Sequence, residues 1–282
     1  MQMVASSSGA QLAVEASGEP QQGTILLVMG ATASMLWWPR SLVQALAEAG
    51  YQVIRFDHRD TGGSTTYPPG EIGYTIQDLA DDLLAILDAF GVERAHLVGM
   101  SLGGYLGQIV ALQHPERVAT LALLSAEPLG QNYEGEGIAP ALLEHFGAME
   151  SLDWDDHAAV VAFLLRDAEL CAGTAQPFDV AAATTRIEGE LSRTQSMASA
   201  FNHGSVGGKL DPGLRIDRLR LPLLVVHGSA DPVIGVGAAR ASAAAVPGAE
   251  LMILPERGHE LLEVDMPALA QAILRNCARA PA

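Results

Sequence analysis

The chain has 282 residues, enough to bury one substantial core with a smaller appended unit. Hydrophobic residues make up 49% and charged residues 17%, a globular composition with no low-complexity tract. The formal charge of −17 opposes binding to nucleic acid or to anionic membrane surfaces and says little about a neutral small substrate.

In chain order, Gln2–Ala5 and residues 11–16 read as a hairpin turning at Ser8-Gly9. Residues 24–29 form a continuous apolar run suited to a strand buried on both faces. Residues 39–49 carry apolar side chains at 42, 43 and 46, open with Pro39 and stop at Gly50, which predicts a helix. A strand at 51–56, a helix at 75–90 ended by Gly91, a strand at 94–100, a helix at 101–114 stopped by Pro115 and a strand at 118–125 follow. This alternation predicts an α/β fold, a mostly parallel eight-stranded sheet with helices on both faces. The pattern breaks after Ala126. Residues 127–209 hold glycine-rich loops and helical stretches near 138–149, 155–171 and 179–200, without a strong strand. They read as a helical cap inserted into a core domain made of 1–126 and 210–282. The sheet pattern resumes at 221–227, with a helix near 235–246, a strand at Glu250–Leu254 and a last helix at about 261–278.

Gly99-Met100-Ser101-Leu102-Gly103 lies at the junction of a buried strand and a helix. A serine on so tight a turn is forced into a strained backbone, and the residues two positions away must be small where strand and helix cross. Glycine stands at both positions, 99 and 103, and Gly104 and Gly107 thin the helix face further. The strain pushes the hydroxyl clear of the backbone, and the Leu102 N–H lies at the positive end of a helix dipole, where an oxyanion is stabilised. These residues point to a nucleophile on an elbow.

In an open parallel sheet, reactive side chains gather beyond the carboxyl ends of the strands. After the strand ending at Met29, Gly30 lets the Ala31 N–H approach a substrate oxygen as a second oxyanion donor. After the 221–227 strand comes Asp231, at a loop-to-helix junction, and after Glu250–Leu254 comes His259, in a loop. Ser101, Asp231 and His259 appear in an order that can converge: His259 would take the proton from Ser101, and Asp231 would fix its tautomer. Glu127, at the end of the 118–125 strand, is the rival acid. His227 is expected to pack at a strand end, His203 to lie exposed on the cap with the pocket as the alternative, and no histidine has metal-ligand spacing. Trp37, Trp38, Phe146, Phe163 and Phe201 are candidates for the pocket wall as well as for the core. His58-Arg59-Asp60 resembles a kinase catalytic loop without the other kinase elements, and residues 204–209 lack P-loop spacing.

Together these residues resemble the α/β-hydrolase superfamily over nearly the whole chain. The matching strings include Val28-Met29-Gly30-Ala31, Asp57-His58-Arg59-Asp60-Thr61-Gly62-Gly63-Ser64, the elbow, His114-Pro115-Glu116-Arg117-Val118, Gly228-Ser229-Ala230-Asp231-Pro232 and Gly258-His259. The resemblance implies the triad Ser101, Asp231 and His259 with backbone donors at Ala31 and Leu102. Asp60 stands where glycine is usual in the family, and aspartate tolerates a left-handed backbone better than most residues. The variant string 57–64, with Val28-Met29-Gly30 and Trp38-Pro39 upstream, looks like the aclacinomycin methylesterase group, which hydrolyses a methyl ester on a polyketide antibiotic. That likeness holds through about Ala126 and is weak across the cap, so the substrate does not transfer with the fold.

The expectation is a cofactor-independent serine hydrolase acting on a carboxylic ester, methyl esters included, of a small apolar molecule. The alternatives keep the triad for perhydrolysis, lactone opening or carbon–carbon cleavage, or keep only the fold as a non-catalytic ligand receptor. Dehalogenase and epoxide-hydrolase chemistry are disfavoured, because those relatives use an aspartate where this chain has Ser101. The two cysteines, Cys171 and Cys277, form no disulfide framework, so free thiols are expected. Residues 1–10 lack the basic and apolar regions of a signal peptide, and the apolar stretch 24–38 is broken by Gly30, Thr32 and Ser34. A soluble cytoplasmic protein is the expectation; the oligomeric state is open.

Overall fold

Runs rich in Val, Leu and Ile supply the strands. The computed structural model describes residues 1–135 and 137–281. Eight strands form one sheet: β1 (Gln2–Ala5), β2 (Gln11–Ser17), β3 (Thr24–Val28), β4 (Gln52–Phe56), β5 (Ala95–Met100), β6 (Val118–Leu124), β7 (Leu223–Gly228) and β8 (Glu250–Leu254). Their order is β1-β2-β4-β3-β5-β6-β7-β8. The first hairpin is antiparallel and β2 joins β4 antiparallel; every later pairing is parallel. β3, β5, β6 and β7 are buried throughout, as strands covered on both faces must be.

Helices cover both faces. α1 (Arg40–Glu48) and α9 (Met266–Cys277) press Leu42, Leu46, Leu269 and Ile273 onto Ile25, Leu27 and Val98. On the opposite face α2 (Ile76–Ala89), α3 (Leu102–Gln113) and α8 (Gly237–Ala245) bury Leu83, Leu106 and Ala239 against Leu26, Leu97 and Val225. Local chemistry sets the ends. Thr75 and Asp78 form a capping box on α2, and α3 ends before Pro115.

Between β6 and β7 lie α4 (Pro140–Gly147), α5 (His157–Cys171), α6 (Val180–Leu191) and α7 (Met197–Ala200). Asp156 and Asp179 cap the two long helices, and Val160, Phe163, Leu164 and Ile187 give this segment a small core of its own. The helix expected over 179–200 is two helices. Ser196 takes an extended backbone and its hydroxyl accepts the Ser199 N–H, so it starts a new helix rather than continuing the old one. Likewise the last helix opens as a 3-10 turn at Glu263–Asp265 and becomes α-helical only from Met266.

The segment joins the sheet through polar groups that are buried or partly buried. Arg193 pairs with Asp57 at 2.7 Å, and Glu190 accepts from Ser34 at 2.6 Å and from the Trp37 indole at 3.2 Å. Beneath this joint Arg59 and Asp82 form a two-pronged ion pair, 2.8 and 2.7 Å, with both side chains essentially inaccessible. Removing one partner strands the other charge in the interior. Asp82→Ala is therefore expected to lower the unfolding free energy by about 3–5 kcal/mol. Urea denaturation measures it, and a loss below about 1 kcal/mol, the range of an exposed pair, would contradict the account.

Candidate active site

β5 delivers Ser101 to the carboxyl edge of the sheet, where the chain reverses into α3. Ser101 has φ +50° and ψ −118°, a conformation that L-residues with side chains rarely adopt. Packing enforces it. A Cβ on Gly99 would collide with the Gly103 and Gly104 backbone, and one on Gly103 would collide with the Val28 carbonyl. The Ser101 N–H is tied to the Leu124 carbonyl at 2.9 Å, so the turn is fixed to β6 as well. The Leu102 N–H opens α3, and Gly30 lies so close that a Cβ there would be 3.2 Å from the Ser101 Cβ. Among the described residues neither the Leu102 N–H nor the Ala31 N–H has a backbone acceptor.

Asp231 and His259 come from the loops after β7 and β8. His259 Nδ1 donates to Asp231 Oδ2 at 2.8 Å, and Asp231 Oδ1 accepts from the Val233 and Ile234 N–H groups, both at 2.9 Å. That bond leaves His259 Nε2 with its lone pair free. The His259 N–H donates to the Cys171 carbonyl at 2.8 Å, which ties the histidine loop to the end of α5. Burial alone would raise the Asp231 carboxyl. The hydrogen bond and charge of His259, the Ile234 N–H and His227 outweigh it and hold the carboxyl below the usual aspartate range. His227 donates to the Ile234 carbonyl at 2.7 Å and stands 3.4 Å from Asp231, and burial lowers its own pKa. Among the described residues Glu127 makes no hydrogen bond to His259: it accepts from the Tyr133 hydroxyl at 2.7 Å and borders a second depression on the Tyr105 side of Ser101.

Ser101 and His259 border one cavity of about 490 Å³. No direct hydrogen bond joins them among the described residues, and contacts of this kind commonly tighten only with substrate in place. Trp37, Phe146 and Phe201 contribute to the wall, with Ile138, Met149 and Leu164. Trp38 and Phe163 lie elsewhere. Trp38 is buried in the layer between the sheet and α1, and Phe163 packs on His145, Trp154 and Phe201 inside the helical segment. Two cavity groups escaped the sequence reading, because charged positions on amphipathic helices usually face water. Glu190 is buried and hydrogen-bonded at the joint, and burial raises its pKa. Asp167 faces the cavity from α5 with one oxygen buried and unpartnered among the described residues, and burial raises its pKa too.

His203, expected to be exposed, is buried. Its Nδ1 accepts from the Thr32 N–H at 2.9 Å and its Nε2 donates to the Arg59 carbonyl at 2.8 Å. Asp60, in place of the usual glycine, has φ +67° and uses its carboxylate to accept from the Tyr67 N–H, the Tyr74 hydroxyl and Asn202 at 2.6, 2.6 and 3.0 Å. The string 57–64 is thus a buried structural turn under the cavity.

The lowered Asp231 carboxyl has a measurable sign. Its stabilisation is complete above the unfolded aspartate value of about 3.9 and disappears as pH falls through the lower folded value. The stability advantage of the wild type over Asp231→Asn should be constant above about pH 4 and shrink below it. Urea denaturation at stepped pH reads this, and an advantage undiminished down to about pH 2 would rule the depressed carboxyl out.

The comparisons with known proteins agree with the fold. The alpha/beta hydrolase fold family matches residues 23–265. Rhodomycin D methylesterases of Streptomyces sp. strain C5 and of Streptomyces peucetius are each 32% identical over 283 residues, which is 92% of this chain and 92% of theirs. Among solved structures, a hydrolase from Pseudomonas aeruginosa superposes with a TM-score of 0.73 at 28% identity, covering 98% of this chain and 97% of its own. An esterase from Exiguobacterium antarcticum shares the fold at 18% identity, with a TM-score of 0.80 over 98% and 99% of the two chains. The chain belongs to the alpha/beta hydrolase fold family.

Proposed function

We propose that the chain is a serine hydrolase that cleaves a carboxylic ester, methyl esters included, of a small apolar molecule. What carries this reading is the His259–Asp231 pair, 2.8 Å apart, on the same cavity as a serine held at φ +50°. The two methylesterase relatives, aligned over 92% of the chain, support an ester as the bond attacked. The apolar wall supports an apolar body around that ester.

In the reaction, Ser101 Oγ attacks the ester carbonyl as His259 Nε2 takes its proton. Asp231 holds the ring in the right tautomer and stabilises the imidazolium. The Ala31 and Leu102 N–H groups receive the negative charge that develops on the carbonyl oxygen, with the α3 dipole behind the second of them. Collapse of the tetrahedral adduct breaks the bond to the alkoxy oxygen, which leaves as the alcohol with the proton from His259. Water then attacks the acyl-serine with His259 as base, and the acid departs. Ester and water give acid and alcohol, with no change of oxidation state.

Residues 127–209 act in this reading as a cap over the core formed by 1–126 and 210–282. Ile138, Phe146, Met149, Leu164, Ile187 and Phe201 in the cavity wall support that division. Cys171 and Cys277 are free, which supports a reducing compartment, the cytoplasm. No helix among the described residues is long and apolar enough to cross a membrane.

A fluorophosphonate probe should label Ser101, and Ser101→Ala should lower p-nitrophenyl ester turnover by about a thousandfold or more. Intact-mass and peptide mapping check the label. An unlabelled wild type whose activity survives Ser101→Ala would overturn the reading.

A further inference from the structure

The oxyanion donor at Ala31 must point at one place beside Ser101. Its N–H belongs to the peptide plane between Gly30 and Ala31, and Gly30 gives that plane more rotational freedom than any other residue would. The planes on either side are pinned. The one before it carries the Met29 carbonyl, which accepts from His58 Nε2 at 2.9 Å. The one after it carries the Thr32 N–H, which donates to His203 Nδ1 at 2.9 Å, with Thr32 held at φ +64°.

The two rings come from different parts of the chain. His58 stands in the loop after β4, and His203 in the 3-10 turn Phe201–Ser205 at the end of the helical segment. They meet edge to face, with centroids 5.8 Å apart. One neutral tautomer satisfies both His203 contacts, because Nδ1 accepts while Nε2 carries the hydrogen given to the Arg59 carbonyl. Burial lowers the pKa of both rings, His58 to about 3, so that tautomer persists at neutral pH. The His203 turn is itself locked. Asn202 accepts from the Gly70 N–H at 2.7 Å and donates to Asp60 at 3.0 Å, while Phe201, Gly204 and Ser205 border the cavity.

We propose that His203 is a positioning residue for the oxyanion site: by holding the Thr32 N–H, it fixes the direction of the neighbouring Ala31 N–H beside Ser101. The helical segment thereby contributes to transition-state stabilisation as well as to the cavity wall. This rests on the serine-hydrolase reading above. His203 acts through the peptide backbone, and Thr32 without it would keep a part-buried N–H with no acceptor from the protein.

The test compares His203→Leu, His203→Asn and His203→Gln, with active sites counted by fluorophosphonate so that misfolded protein drops out. The Asn amide oxygen can occupy the Nδ1 position and keep the Thr32 contact, whereas the Gln amide reaches toward Nε2 and the Arg59 carbonyl. Per active site, His203→Leu should lower kcat on p-nitrophenyl butyrate about 10- to 100-fold with KM within about twofold. Inhibition by an aryl trifluoromethyl ketone, whose adduct with Ser101 carries an oxyanion, should weaken by the same factor. His203→Asn should recover most of both, and His203→Gln less. If His203→Leu does not fold, the ranking of Asn above Gln still decides.

A kcat within about twofold of wild type in His203→Leu would overturn the proposal, as would Gln equal to or better than Asn. So would a loss of kcat without weaker ketone inhibition, which would mark a structural role alone. A wild type in which Ser101 takes no label would instead remove the hydrolase reading itself, so the two failures are distinguishable.

Discussion

The close crossing of β5, α3 and β3 is the constraint on which the rest of the molecule depends. The backbones approach until no side chain fits at Gly99 or Gly103, and the turn between strand and helix then has one conformation open to it. Ser101 occupies that turn at φ +50°, a strained state of about 1–3 kcal/mol that survives because the packing around it is over-determined. Buried strands on both sides and the Ser101–Leu124 hydrogen bond provide that packing. A rigid elbow then becomes a reference point for the three other loops at the same edge of the sheet.

Around this point the structure divides labour between apolar and polar contacts. The layers under α1 and α9 and under α2, α3 and α8 are hydrophobic and hold the sheet. The joint between sheet and helical segment is polar and partly buried: Arg193 with Asp57, Glu190 with Ser34 and Trp37, Asn202 with Asp60, His203 with Thr32. Such contacts contribute little net stability compared with apolar packing of equal volume, but they specify geometry, since an unmade one is costly. A joint of this kind fixes the register of the segment over the cavity.

The parts of the fold legible in the sequence are those where backbone demands select particular residues. Glycines at the crossing, prolines at helix boundaries and apolar runs in covered strands mark all eight strands, the elbow and the loops carrying Asp231 and His259. Asp60 was readable for the same reason, since its left-handed turn admits few other residues. The rest depends on which side chains meet across the fold. Periodicity indicates that a helix has an apolar face but not what covers it, so nothing local separates Trp37 at the cavity from Trp38 in the core. Nor does it separate Phe201 at the wall from Phe163 behind it. Glu190, Arg193 and His203 carry no local signal of burial, because their partners, Ser34, Asp57 and Thr32, lie more than a hundred residues earlier in the chain. The break between α6 and α7 was hidden because Ser196 acts through a single capping bond.

The central claim is that the strained serine carries the acyl group between alcohol release and hydrolysis. Rapid acid quenching during turnover of p-nitrophenyl butyrate, followed by peptide mass spectrometry, tests it most directly. The account predicts one butyryl group per active site, on the peptide containing Ser101 and on that residue. Turnover without an acylated intermediate, or acylation at another side chain such as Cys171 with Ser101 unmodified, would contradict it.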